Sequence, residues 1–162
     1  MSQADFDPAI VGPVLEAIRK AFSVQASTEI QILSFKPITL VPPINVGIAA
    51  MMGILSKNFN GTLAILFPEN TFVGVVNKML GESYTAINEE NADAAGEFLN
   101  IVYGIARPTI NENGHDFTPA IPNVVRGDKI QISHASGYLV GAISCQSEFG
   151  EFRVELSLKK VS

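Results

Sequence analysis

The sequence predicts an α+β domain: an antiparallel sheet of about six strands covered by amphipathic helices, built in two related halves. Three observations predict it. Several segments place apolar residues three and four apart, as a helix lying on a core requires. Others alternate apolar with polar residues, as half-buried strands do. And "GILSKNFNGTLAILF" (Gly53 to Phe67) is echoed by "GAISCQSEFGEFRVELS" (Gly141 to Ser157), each a strand–turn–strand unit with a glycine entering the second strand.

The elements follow in order. Asp7-Pro8 starts a helix with proline in its first turn, and Ile10, Val14, Leu15, Ile18 and Phe22 continue at helical spacing. "TEIQILSFK" alternates Ile30, Ile32 and then Phe35 with polar residues, which predicts a strand. Two further strands are expected at Asn45 to Ser56 and Gly61 to Phe67, with the turn at "KNFNG" using Asn60-Gly61 for positive φ. In "PENTFVGVVNKMLGES", Asn70 or Thr71 is expected to cap a short helix that ends at Gly81. Asn88 or Asn91 then opens a long helix. Beyond Gly114, "FTPAIPNVVRG" reads as extended, and "KIQISH", "GYLVGAISCQ" and "EFRVELSLKK" read as three strands. In the last, Phe152, Val154, Leu156 and Leu158 face one way.

Composition narrows the function classes. The 162 residues fit a single domain over 1–162. Apolar residues make up 47% and charged residues 17%, so a packed core is expected. A mean hydropathy of +0.26 hints at apolar surface covered by a second copy, hence a homodimer. The net charge is −5 and no basic run occurs, which leaves nucleic-acid binding without its electrostatic footprint. Cys145 is the lone cysteine, as suits a reducing compartment, and "MSQADFDPAI" carries no secretory signal; a cytoplasmic location is expected. Ile38 to Ser56 is nearly uncharged, but Pro42-Pro43 and Asn45 favour a loop and a buried strand over a membrane span. His115 and His134, the only histidines, make no zinc-ligand cluster with one cysteine; His115 reads as part of a solvated turn and His134 as the end of a strand. No P-loop, dinucleotide fingerprint or nucleophile elbow occurs.

The long helix holds the candidate chemistry. At about 100° per residue, Asp93, Glu97 and Asn100 fall within about 60° of one another, opposite an apolar face of Phe98, Leu99, Val102 and Ile105. Gly96 and Gly104 are expected beside them on the exposed side, with Arg107 a turn further on. A glycine costs about 1 kcal/mol relative to alanine in a helix interior, so glycines there suggest that something approaches closely. An asparagine can orient a water, since it both donates and accepts. The strip lacks a nucleophile, a metal cage and a pocket, so a partner must supply the rest of any reaction centre.

The pattern Asp93-x3-Glu97-x2-Asn100, followed by "IVYG" and then by "FTPAIPNVVRG", resembles the CheX/CheC/FliY phosphatases of bacterial chemotaxis, and CheX most closely in layout. Ile121 to Gly127 matches the family's downstream S/T-x-P-x-V-x-x-G segment, and the likeness extends over nearly the whole chain. The resemblance implies a CheC-like pseudo-symmetric fold and hydrolysis of the aspartyl phosphate on a CheY-like receiver domain, which would itself carry the Mg²⁺. It implies that Asn100 aligns the attacking water, that Glu97 pairs with the receiver's lysine, and that Asp93, Gly96, Gly104 and Arg107 meet the partner. A non-catalytic module that docks a partner through the same helix is the alternative. Two departures stand out. Glu16 in the first helix is followed three residues later by Arg19, not Asn, which implies one site per chain. Pro108 falls inside the long helix, where it removes a hydrogen bond and kinks the axis.

Overall fold

The structure is a computed structural model, described here for residues 6–161. Helix α1 (Pro8–Gln25) starts where Asp7 accepts a hydrogen bond from the Ala9 N–H at 2.9 Å, with proline at its first position. Strand β1 (Gln31–Pro37) follows, then a single 3-10 turn at Ile38–Leu40. The hairpin β2 (Ile48–Leu55) and β3 (Phe59–Phe67) leads into α2 (Glu69–Leu80), which ends on left-handed Gly81. The long helix α3 (Ala94–Glu112) is followed by β4 (Asn123–Arg126) and the hairpin β5 (Leu139–Ser147) and β6 (Gly150–Lys160).

The six strands form one antiparallel sheet in the order β1-β5-β6-β3-β2-β4. The two hairpins predicted from the echo stand side by side and meet at β3 and β6. Each is flanked by the edge strand from the other half of the chain: β1 lies beside β5, and β4 beside β2. The fold is therefore the α+β, two-halved arrangement expected. The uneven spacing Ile30, Ile32, Phe35 has a local cause: the register of β1 slips between Ile32 and Ser34, a bulge that leaves Leu33 54% exposed.

The helices cover one face. Phe22 of α1, Phe67 of β3, Phe98 of α3 and Phe152 of β6 are all buried, with ring centroids 4.6 Å apart for Phe22–Phe98 and for Phe22–Phe152, and 5.4 Å for Phe67–Phe152. α1 and α3 pack side by side, and Asn113 at the end of α3 donates through Nδ2 to the Ala9 carbonyl at 3.0 Å. That carbonyl is the one Pro13 cannot serve within α1, because proline has no N–H.

Several local expectations are corrected. The β2–β3 turn closes at Ser56 and Phe59, not at Asn60-Gly61; Gly61 lies inside β3, and a Cβ there would sit 1.9 Å from the Ser157 carbonyl oxygen. It is glycine because a neighbouring backbone passes close by. The first residue before α2 is Pro68, and neither Asn70 nor Thr71 caps it. Thr71 is buried and donates to the Glu151 carbonyl at 3.1 Å. "KIQISH" pairs with no strand; its Ile130 and Ile132 instead lie over a small second core of Val46, Ala49, Ala64 and Leu66 on the helix-free face. His134 therefore ends no strand and bonds Glu155 at 3.0 Å, while His115 is nearly buried between Phe59 and Phe117 and bonds Asp7 at 3.0 Å. Residues 41–47 are a loop, so β2 begins at Ile48 and not at the expected Asn45, and among the described residues no helix is long and apolar enough to cross a membrane.

Candidate functional site

The entry to α3 is built by two asparagines acting together. The Asn91 N–H donates to Asn88 Oδ1, and the Asn88 N–H donates to Asn91 Oδ1, both at 3.0 Å; Asn91 Nδ2 donates to the Ala86 carbonyl at 2.9 Å. These reciprocal bonds lie in the turn that leads into the helix, which begins at Ala94 and not at Asn88 or Asn91 as expected. Asn91 is buried, so this clasp holds the start of the helix to the body. Further along, Phe98, Leu99, Val102, Ala106 and Ile110 bury the inner face, and the Tyr103 hydroxyl donates to the Thr118 carbonyl at 2.6 Å. Burial pushes the Tyr103 hydroxyl's pKa up, against a smaller opposing pull from the Arg107 charge. The rod is thus fixed at its start, along its inner face and, through Asn113, at its end.

On this rod Asp93, Glu97, Asn100 and Gly104 are exposed and Arg107 is half-buried. Successive members are three or four residues apart, hence neighbours about 5–6 Å apart at Cβ. Among the described residues, none of the Asp93, Glu97 or Asn100 side chains makes a hydrogen bond or an ion pair. The stripe is acidic where the helix starts, which suits the dipole, and ends in a cation about 21 Å away. Helix geometry keeps the amide between them.

The two glycines part company. Gly104 is exposed, and a Cβ added there would meet nothing within 4 Å, so nothing in this chain requires a glycine at that point. Four residues on, Pro108 has no N–H, which leaves the Gly104 carbonyl without its usual helical donor. α3 nonetheless runs through Pro108 to Glu112. Gly96 is not on the exposed stripe, contrary to the sequence reading. It is buried, and its Cβ would lie 3.1 Å from Val124 Cγ2 and 3.4 Å from Pro122 Cγ. Gly96 lets the extended segment before β4 lie against the helix.

That segment brings a residue that was not among the expected site residues. With Thr118 at Tyr103 and Pro122 at Gly96, residues 118–122 run antiparallel along α3, and Ile121 between them is 86% exposed. A large aliphatic side chain so bare, on a segment clamped along α3, is an apolar flank to the stripe. Its only sequence signal was an isoleucine set between Pro119 and Pro122 in an extended segment.

The equivalent helix of the other half is differently equipped. Arg19 Nη1 donates to Glu16 Oε1 at 2.8 Å, so the carboxylate is engaged within its own helix. Among the described residues no three of His, Cys, Asp and Glu come together as a metal site. Cys145 is buried, and desolvation pushes its thiol up to about 12, which keeps it from being a nucleophile.

The fold agrees with the comparisons. Residues 48–146 match the family model described as chemotaxis phosphatase CheX. The chain belongs to the CheX family. A CheC-like superfamily protein from Shewanella sp. PV-4 is similar at a TM-score of 0.87 and 25% identity, over 95% of this chain and 99% of that one. A chemotaxis protein CheX from Desulfovibrio desulfuricans is similar at 0.82 and 30% identity, over 93% and 99%. More distantly, at 0.68 and 17% identity over 93% and 97%, the fold matches CheX in a CheX–CheY–BeF3–Mg²⁺ complex from Borrelia burgdorferi. No curated protein matches the sequence.

Proposed function

We propose that this protein hydrolyses the aspartyl phosphate of a CheY-like receiver domain, using Asn100 to orient the attacking water and Glu97 to pair with a lysine of the receiver. The observation that carries the proposal is that both side chains project unpartnered from a helix held rigid everywhere else. Phosphoryl transfer asks little of a protein beyond alignment and charge stabilisation, and the partner's own site can hold the metal. An amide that accepts from a water with its oxygen and donates with its nitrogen can set that water in line with the phosphorus. A carboxylate one turn earlier, free of any internal cation, is available to an incoming ammonium. The Borrelia CheX that shares this fold is found in complex with CheY, BeF3 and Mg²⁺, which supports a CheY-like partner.

Docking would bring Asp93, Arg107 and the bare Ile121 against the receiver, with Gly104 admitting its surface closely. Gly96 supports the stripe from beneath. Glu16 and Arg19 satisfy each other, so we assign one site per chain. We also read the protein as a cytoplasmic homodimer; Leu33 at the β1 edge and Val125 at the β4 edge are apolar and exposed, as a second copy would require.

The test is the lifetime of a phosphorylated receiver with Mg²⁺, with and without this protein in catalytic amounts. Accelerated release of inorganic phosphate by the wild type, at more than one turnover per chain, supports the enzyme. Binding with an unchanged phosphate lifetime supports a docking module instead.

A further inference from the structure

The sheet face away from the helices holds a group that the stripe does not use. Strand alternation turns Arg153, Glu155 and Ser157 of β6 to that face. They would meet water there, but loop residues 38–46 and 129–134 fold over them. Arg153 and Glu155 are each only 5% exposed. Between the loops and the sheet lies a cleft of about 450 Å³, whose lining includes Arg153, Glu155, Lys129, Ile44, Ile130 and Ile132.

Arg153 is short of partners in this cleft. One terminal nitrogen, Nη2, donates to the Pro42 carbonyl. Its Nε–H is buried and bonds nothing among the described residues. Among the described residues no carboxylate lies within ion-pair distance of it, and Glu155, two residues on, is engaged by His134 at 3.0 Å. A buried guanidinium with neither counter-ion nor a full set of acceptors is costly. What it lacks is an oxyanion in the plane of its fork.

We propose that this cleft binds a small apolar monocarboxylate, with the carboxylate on the Arg153 guanidinium and the hydrocarbon body against Ile44, Ile130 and Ile132. The volume is that of a small-molecule site. Lys129 at the rim adds positive charge. Glu155 limits the head group: a dianion beside a second carboxylate is repelled, so a carboxylate is preferred to a phosphate. The cleft lies across the sheet from Asn100, so it stands whether or not the stripe hydrolyses anything.

The test is a titration of the whole chain, labelled with ¹⁵N and with ¹³C at the isoleucine methyls, with sodium hexanoate, acetate and inorganic phosphate, reading the Arg153 Nε–H resonance and the isoleucine methyls. Hexanoate is expected to move Arg153, Ile130 and Ile132 together and saturably. It should bind at least about tenfold tighter than acetate, because its extra methylenes are buried. Arg153→Lys, which keeps the charge but loses the fork, should weaken hexanoate by about tenfold or more. Ile132→Trp, which fills the cleft and leaves the guanidinium in place, should remove the response in the event that Arg153→Lys does not fold. No saturable movement of wild-type Arg153 with hexanoate overturns the proposal. So does acetate or phosphate binding as tightly as hexanoate.

Discussion

Replacing Gly104 by leucine separates what this chain needs from what its partner needs. A Cβ at this position would meet nothing within 4 Å, the position is exposed and the backbone there is helical, so the folded chain has room for a side chain. Leucine is the better helix former by roughly 0.5–1 kcal/mol, so the isolated protein should become more stable. For a chain of this size that corresponds to a rise of about 1–4 °C in Tm. Gly104 is also one helical turn beyond Asn100 on the exposed stripe. A leucine there stands several ångströms proud of the helix and holds a docked surface away from the amide. Misplacement of about 1 Å at a reacting centre can cost on the order of 100-fold, so kcat/KM against a phosphorylated receiver should fall by at least that much. Calorimetry and a phosphate-release assay on the same preparation make the measurement. Gly96→Ala is the control, since its methyl group must push Val124 or Pro122 aside and should forfeit the helix-propensity gain. A Gly104→Leu variant that melts earlier than wild type refutes the structural half of this reasoning, and one that retains full phosphatase activity refutes the functional half.

Three further outcomes are expected. Gly61→Val should destabilise the sheet severely, by about 3 kcal/mol or more, because its Cβ collides with the Ser157 carbonyl; a chemical-denaturation midpoint within error of wild type contradicts this. The Cys145 thiol, raised by burial, should resist a thiol reagent in the native protein and react on unfolding. Its neutral form favours the folded state in full below the ordinary thiol range, and that contribution fades as pH rises from there to about 12. Glu148 is held below the ordinary carboxylate value first by a hydrogen bond from Thr28 and then by Lys78, so its stabilisation is present above that value and is lost as pH falls through the folded one. Thr28→Val should therefore flatten the acid limb of a Tm-against-pH curve.

The features legible in the sequence were those set by neighbours along the chain. Asp7-Pro8 opening α1, Gly81 closing α2, the two hairpins and the exposed stripe each follow from local chemistry or period. What misled was chemistry shared by two physical causes. Gly61 and Gly96 are glycines because a remote segment of backbone or side chain crosses them, and a single sequence shows the missing Cβ but not the crossing element. "KIQISH" alternates because one of its sides is buried; alternation records burial, and here a cover loop is buried just as a strand would be. Leu33 broke the period of β1 because a bulge inserted it, which alternation alone cannot distinguish from a chain end. Arg153 and Glu155 occupy outward positions of β6, where sequence logic assigns water, and only the path of two loops buries them. Ile121 was not among the expected site residues for the opposite reason, because its exposure depends on residues 118–122 being clamped along α3.

The most direct measurement compares Asn100→Ala with wild type in two readouts on one phosphorylated receiver: the affinity of the complex and the rate of phosphate release within it. If the amide serves to align water, release should slow by about 10²–10³-fold while affinity changes little, because the substituted group is small and the fold does not use it. Release from the Asn100→Ala complex at the wild-type rate would contradict the account.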